Sequence, residues 1–375
     1  MRTSLTERLG IDFPLFAFSH CRDVVAAVTN AGGFGVLGAV AYSPERLDQE
    51  LSWIDAQVNG RPYGVDVLVP GKIDPGAADP GAHLLDLVPE RHRDFLAHLF
   101  RKYGLGLPGG PMEPGADEAG RRVTPEGATG LIDVALRHPI GLIASALGPP
   151  PPAMVDRARA AGVPVAALVG TVEHATRQVA AGADIIVAQG TEAGGHTGEV
   201  STMVLVPQVV DAVAPVPVLA AGGIAEGRQV AAALALGAEG VWCGSVWLTT
   251  DEAETPPVVK RKMLAATSRD TVRSRSRTGK PARQLRSAWT EEWDGAPESP
   301  GPLGMPLQLL LAEAAMAQVG QAAESGNPGA RELANYFVGQ VVGQMNQVKP
   351  ARQVVYEMIK GYGDAVERLR GITDA

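Results

Sequence analysis

The chain has 375 residues, 45% of them hydrophobic and 20% charged, which is enough apolar material to bury a large core. A formal net charge of −8 leaves no excess of Lys and Arg for nucleic acid or an anionic membrane to meet. Cys21 and Cys243 are far apart in apolar stretches, and no uncharged run free of Pro and Gly reaches the ~18 residues of a membrane span, so a cytoplasmic protein without disulfides is expected.

Along the chain one phrase recurs: an Ala-rich helical end, a Gly, then a short β-branched run closing in small residues. Its copies are VVAAVTNAGGFGVLGA, RARAAGVPVAALVG, RQVAAGADIIVAQG and RQVAAALALGAEGVWCGS. The Gly suits the left-handed position just past a helix, and the apolar run suits a parallel strand buried on both faces. In order, the apolar runs give eight predicted strands, at 13–18, 34–39, 63–68, 141–147, 164–169, 185–190, 217–222 and 240–245. Predicted helices lie between most of them, at 21–31, 44–58, 151–161, 171–181 and 226–236. This is the inventory of an α/β protein of the (β/α)8 TIM barrel type.

Two segments break the rhythm. From about residue 70 to 130, Gly/Pro-rich stretches surround the charged helix PERHRDFLAHLFRKYG, which reads as an insertion after the third strand. GPPPP at 148–152 reads instead as a shaped strand-to-helix loop. The division is therefore a barrel over 1–255, insertion included, and a mostly helical C-terminal extension over 256–375. That extension reads as a cap on the barrel or as a dimerisation element, the second making the chain a homo-oligomer. Ten Lys and Arg lie between Lys260 and Arg286, either as a solvated face or as a contact for the phosphates of a nucleotide or an acyl thioester.

In a closed parallel barrel, ligand and catalytic groups gather at the C-terminal ends of the strands. The seventh predicted strand ends in LAAGGI and the eighth in WCGS. Paired glycines let backbone N–H groups approach an anion, and a helix N-terminus beyond the eighth strand would add its dipole. The sixth ends in AQGTEAGGHTG, whose His196 can donate or accept a proton from a Gly-rich loop. No His, Cys and carboxylate set has metal-ligand spacing, so no metal is expected.

EAGGHTG followed by VPVLAAGGI and LGAEGVWCGS resembles the signature half of the nitronate monooxygenases, also called 2-nitropropane dioxygenases. NAGGFGVLGA, RPYGVDVLV, TGKPAR and FVGQVVGQ extend the likeness to about two thirds of the chain. The resemblance implies FMN at the barrel's C-terminal face, its phosphate held by Gly222, Gly223, Gly244 and Ser245, with Gln189 and Gly194 beside the flavin. It also implies that His196 is the catalytic residue of an oxidoreductase taking a small nitronate or nitroalkane, with O2 or another acceptor receiving the electrons.

The chain departs from the family at two strand ends. AFSHCRD stands where the family has a P-M-A-G stretch, which puts His20 at the first strand end, as a substrate or flavin contact or as a structural hydrogen bonder. Asp66 stands where the family usually has Asn, replacing an amide by a carboxylate near the flavin, where a negative charge would disfavour an anionic reduced flavin. Two other readings stay open: an NAD(P)H-dependent flavin reductase acting on a quinone or an enoyl or acyl thioester, and a flavin-binding barrel without turnover.

Overall fold

A computed structural model of the chain describes residues 1–69, 84–106 and 125–373. Eight parallel strands close into a barrel: β1 (Leu15–Ser19), β2 (Phe34–Gly38), β3 (Gly64–Leu68), β4 (Leu142–Ala146), β5 (Val165–Val169), β6 (Ile185–Gln189), β8 (Val218–Ala221) and β9 (Gly240–Cys243). A two-residue strand, β7 (Gly195–His196), lies outside the ring. All eight predicted strands are present. So is the recurrent helix stop: Gly32, Gly162, Gly182 and Gly237 follow their helices with φ of 93°, 70°, 100° and 93°, a left-handed region that costs a residue with a Cβ.

Strand alternation sorts the side chains into two layers. Phe16, Phe34, Val36, Leu142, Ala144, Val187, Leu219 and Trp242 fill the barrel, while Val65, Val67 and Ile143 face the helices outside. The lower mouth is plugged by Leu5 of the short helix Ser4–Leu9, whose first turn is held by Glu239: the carboxylate accepts from the Leu5 N–H at 2.8 Å.

The outer ring is completed from an unexpected place. Ala351–Thr373 packs between the helices Gly227–Ala235 and Arg22–Asn30, where the eighth barrel helix belongs. It approaches so closely that a Cβ on Gly227 would lie 2.1 Å from the Met358 carbonyl oxygen. The last strand-to-helix connection, from β9 to Ala351, therefore contains most of what the sequence presents as a terminal extension. Similarly, Pro125–Ala135 packs on Pro44–Gln57 as the crossover from β3 to β4, although the sequence assigns its start to the insertion. The remainder of that insertion at 70–83 and 107–124 lies outside the described residues.

Insertion and late connection share one core. Phe95, Leu99 and Phe100 of the helix Glu90–Lys102 pack with Trp289, Trp293, Leu310 and Leu311 of the later segment. Tyr103 OH donates to Glu292 Oε1 at 2.7 Å and His92 Nε2 pairs with the Gly301 carbonyl at 3.1 Å across the same seam. These segments form a cap with its own apolar interior, joined to the strand ends by an antiparallel hairpin, β10 (Thr271–Ser274) and β11 (Ala282–Leu285). No helix among the described residues is long and apolar enough to cross a membrane.

Candidate active site

His196 is positioned by the cap. Residues of β7 pair with β11, His196 opposite Ala282 and Gly195 opposite Arg283, so the GH dipeptide is an added edge of the hairpin. Gly195 takes φ of 76°, and a Cβ on Gly194 would sit 2.8 Å from the Gly339 nitrogen, so both glycines are required for the loop to fit beneath the cap. Glu192 in the same loop accepts from the Thr202 N–H at 3.0 Å and its hydroxyl at 2.9 Å, anchoring the loop to the helix Thr202–Val213.

His196 Nε2 lies 2.9 Å from Thr278 Oγ1. That hydroxyl also accepts from the Lys280 N–H at 3.3 Å and faces the Lys280 carbonyl at 3.2 Å. Since a hydroxyl has one proton and a carbonyl can only accept, the arrangement satisfying every group has Thr278 donating to that carbonyl and Nε2–H donating to Thr278. The imidazole lone pair then resides on Nδ1. Burial, aided by the positive charge of Lys280, lowers the His196 pKa to about 4, so the ring is neutral at physiological pH. Phe337 of the cap lies beside it, ring centres 6.3 Å apart.

The arginines of the basic stretch hold this construction together. Arg273 donates to the Thr197 carbonyl at 3.1 Å and Arg283 to that of Thr191 at 2.8 Å, clasping the His196 loop from both sides. Arg277, 3% exposed, is taken up by Asn335 and Glu313 at 2.9 and 2.6 Å. These three are spent on the protein itself rather than presented to a solvated face or a nucleotide.

The glycine cradle is distributed unevenly. Gly222, with φ of 100°, is hemmed in by the protein, a Cβ there lying 2.9 Å from Thr202 Oγ1. Gly223 has φ of 72°. Gly244 is different: φ is −114°, and among the described residues a Cβ would meet nothing nearer than Phe18 Cδ1 at 3.7 Å. The fold gives no reason for glycine at 244, whereas a ligand approaching the backbone would. Ser245 Oγ accepts from the Gly339 N–H at 2.8 Å and keeps its own proton to donate. Ser245–Thr249 is a short 3-10 turn, so the helix dipole expected beyond β9 is small, because few aligned peptides contribute to it.

Across the mouth stand the two unusual strand ends. His20 Nδ1 lies 3.0 Å from the Gly38 carbonyl and its ring meets Phe18 edge-on at 5.1 Å. Burial lowers its pKa against the opposing pull of Gly38 and Glu313. Asp66 is 6% exposed, shares the inward register of Ala144, and has an Oδ2 without a hydrogen-bond partner among the described residues. Burial pushes it up to about 8, so it is a neutral acid at physiological pH and not the negative charge the sequence implies. Gln189 ends β6 with the same inward register as Val187.

Cys21 is buried, and its thiol donates to the Glu252 carbonyl at 3.1 Å. Asp23 and Glu254 come near it, a grouping that sequence spacing hides. Burial raises the thiol pKa, which leaves it a protonated donor rather than a thiolate ligand. A cleft of about 540 Å³ on the cap is lined by four acids, Glu291, Glu292, Asp294 and Glu298, against two bases, Lys102 and Arg286, and is net acidic, which disfavours a phosphate-bearing cofactor there.

The inward-turned acid with its unpartnered oxygen, together with the open Gly244, fits a planar cofactor with a terminal phosphate. Comparison with known proteins gives the chain its relatives. Residues 2–361 match the family model of nitronate monooxygenase. The chain is 62% identical to the Mycobacterium tuberculosis protein Rv1533 over 377 residues, 99% of each chain. It is 31% identical to the "Probable nitronate monooxygenase" of Staphylococcus saprophyticus, covering 76% of this chain and 79% of that one. Among solved structures, a nitroalkane oxidase from Streptomyces ansochromogenes superposes with a TM-score of 0.78 at 28% identity, over 98% of this chain and 100% of the other. FabK from Thermotoga maritima does so with 0.71 at 28% identity, over 99% of each.

Proposed function

Because the chain belongs to the nitronate monooxygenase family, we propose that it is an FMN-dependent oxidoreductase of nitronates or nitroalkanes, with O2 as electron acceptor and His196 as its proton-handling residue. Membership itself makes it an oxidoreductase of a flavoenzyme family.

Gly222, Gly223, Gly244 and Ser245 would hold the phosphate of FMN, through backbone N–H groups and the Ser245 hydroxyl. Gln189, Gly194, Asp66 and His20 would border the ring system. When bound, the flavin supplies the two-electron chemistry; the protein supplies orientation and electrostatics.

The observation that carries the reading is the state of His196: neutral, half-buried, and tied through Nε2 to Thr278. A neutral imidazole can take the carbon-bound proton of a nitroalkane, which an imidazolium cannot. Lys280, whose charge depresses that imidazole, supplies the fixed positive potential that draws an anionic nitronate or a polarised nitro group. Cation and base are thus separate residues, and neither must change charge for the other to act.

Anaerobic mixing tests this. Bleaching of the flavin band by a nitronate or nitroalkane, restored by air, is the expected result. Bleaching by NADH or NADPH with indifference to nitronates would instead make the chain a flavin reductase, as the alternative reading of the sequence has it. A purified protein that is colourless and takes up no FMN would remove the cofactor assignment.

A further inference from the structure

Resting on the flavin reading above, we propose that His20 and Asp66 grip the polar edge of the flavin as a pair of opposite sense. The His20 Nε2 accepts a hydrogen bond from a ring N–H, and the Asp66 carboxyl donates one to a ring carbonyl.

The two residues come from separate strands but meet around one glycine. Gly38 is the register partner of Asp66 on the adjoining strand, and the Asp66 carbonyl accepts from the Ala39 N–H at 2.8 Å. The His20 ring occupies the space over Gly38 where a side chain would be: a Cβ there would come within 2.6 Å of both Nδ1 and Cε1, and within 2.9 Å of Phe18 Cζ. Phe18 and Val36 belong to the layer that fills the barrel, and Gly38 follows Val36 by two. The imidazole is therefore folded inward over the mouth, on the side where Asp66 rises.

Hydrogen-bond sense follows from the partners. A carbonyl only accepts, so the contact from Gly38 fixes the proton on His20 Nδ1 and leaves Nε2 with a lone pair. Tyr42 OH clamps the backbone beneath by donating to the His20 carbonyl at 2.5 Å. Among the described residues no cation holds the Asp66 proton off: Gly38 on β2 and Ala144 and Ala146 on β4 carry no charge, burial is the cause of its shift, and the charge reaching His20 is the negative one of Glu313. Its Oδ2 finds no protein partner among the described residues. A protonated carboxyl is a donor, and a buried donor without a partner is costly unless a ligand satisfies it. The pyrimidine side of a flavin alternates C=O and N–H, so one acceptor and one donor placed side by side match it, where two donors or two acceptors would not. Asp66 thereby does the work of a neutral amide while remaining able to ionise.

The test is the dissociation constant of FMN, read from quenching of flavin fluorescence between about pH 6 and pH 9, for the wild type and the variants Asp66→Asn, Asp66→Leu and His20→Leu. At the acid end Asp66→Asn should bind as the wild type does, since its amide donates, whereas Asp66→Leu and His20→Leu should each weaken binding roughly tenfold. As pH passes about 8 the wild type should lose affinity and Asp66→Asn should not, because only the acid turns from donor to acceptor. Circular dichroism of the leucine variants separates lost binding from lost folding. Leucine variants that bind as tightly as the wild type, or an Asp66→Asn curve that falls with pH as the wild type's does, would overturn the pair while leaving FMN binding intact. A wild type that binds no FMN at any pH would overturn the flavin reading and the pair with it.

Discussion

His196 Nε2 and Thr278 Oγ1 lie 2.9 Å apart, although 82 residues separate them, and this contact ties the strand-end loop to the cap. If Thr278 fixes the tautomer, removing its hydroxyl leaves a nitrogen proton buried without a partner and lets the ring turn over. Thr278→Val should lower kcat roughly tenfold with little change in KM, and Thr278→Ser should restore most of it. Equal losses in both variants would make Thr278 a packing residue.

Replacing His196 by Asn should reduce turnover of a nitroalkane by roughly 10²-fold or more, while a preformed nitronate, which has no carbon-bound proton to lose, should suffer less. In the wild type the neutral base persists down to about pH 4, so its rate should hold steady through the ordinary histidine range and fall only near that value. The sign for stability is the same: the unfolded chain takes up the proton first, so the His196 contribution is complete above about 6.5 and is lost as pH falls through about 4. A kinetic step near pH 6.5 that disappears in His196→Asn would contradict this.

Asp66 acts in the opposite direction on the stability of the cofactor-free protein. Its folded pKa of about 8 lies above the unfolded value, so its contribution is complete below about pH 4 and is lost as pH rises through about 8. Denaturant titrations should show the gap between Asp66→Asn and wild type widening in favour of the variant over that interval. A constant gap would mean that the carboxyl ionises normally.

The glycines divide into those the protein needs and one a ligand would need. Gly194→Ala forces a methyl group against the Gly339 backbone and should lower stability by about 1–3 kcal/mol in thermal or denaturant unfolding. Gly244→Ala, with nothing among the described residues nearer than 3.7 Å, should leave unfolding unchanged and weaken FMN binding by tenfold or more. Unaltered FMN affinity in Gly244→Ala would move the phosphate away from β9.

What the sequence discloses and what it hides follow from the range of the interactions. The barrel is legible because each unit carries its own punctuation: an apolar run read at one place, and a glycine such as Gly182 or Gly237 whose φ is a local matter. The position of His196 is legible as a Gly-rich loop after β6. Its partners are not, because β7 is two residues long and pairs with β11, a strand far along the chain. TGKPAR and FVGQ stand out in the sequence, yet only folding brings Thr278 and Phe337 to the histidine. The protonation of Asp66 is hidden for a related reason: a carboxyl's charge depends on what surrounds it in space, and the letter D carries no record of that.

The placement of the last helix has a consequence for the order in which the molecule is made. A nascent chain that has just delivered β9 holds all eight strands but lacks the outer neighbour that Ala351–Thr373 provides for Gly227–Ala235 and Arg22–Asn30. Through the roughly one hundred residues that separate them, an apolar seam on the barrel stays open, a period in which such surface is prone to aggregation or chaperone capture. The hairpin that seats His196 and the later half of the cap emerge during that same interval, the helix Glu90–Lys102 having been made before β4. Closure of the seam therefore comes after the His196 loop and its hairpin have emerged, and a chain that stops early would carry all eight strands without a closed outer ring.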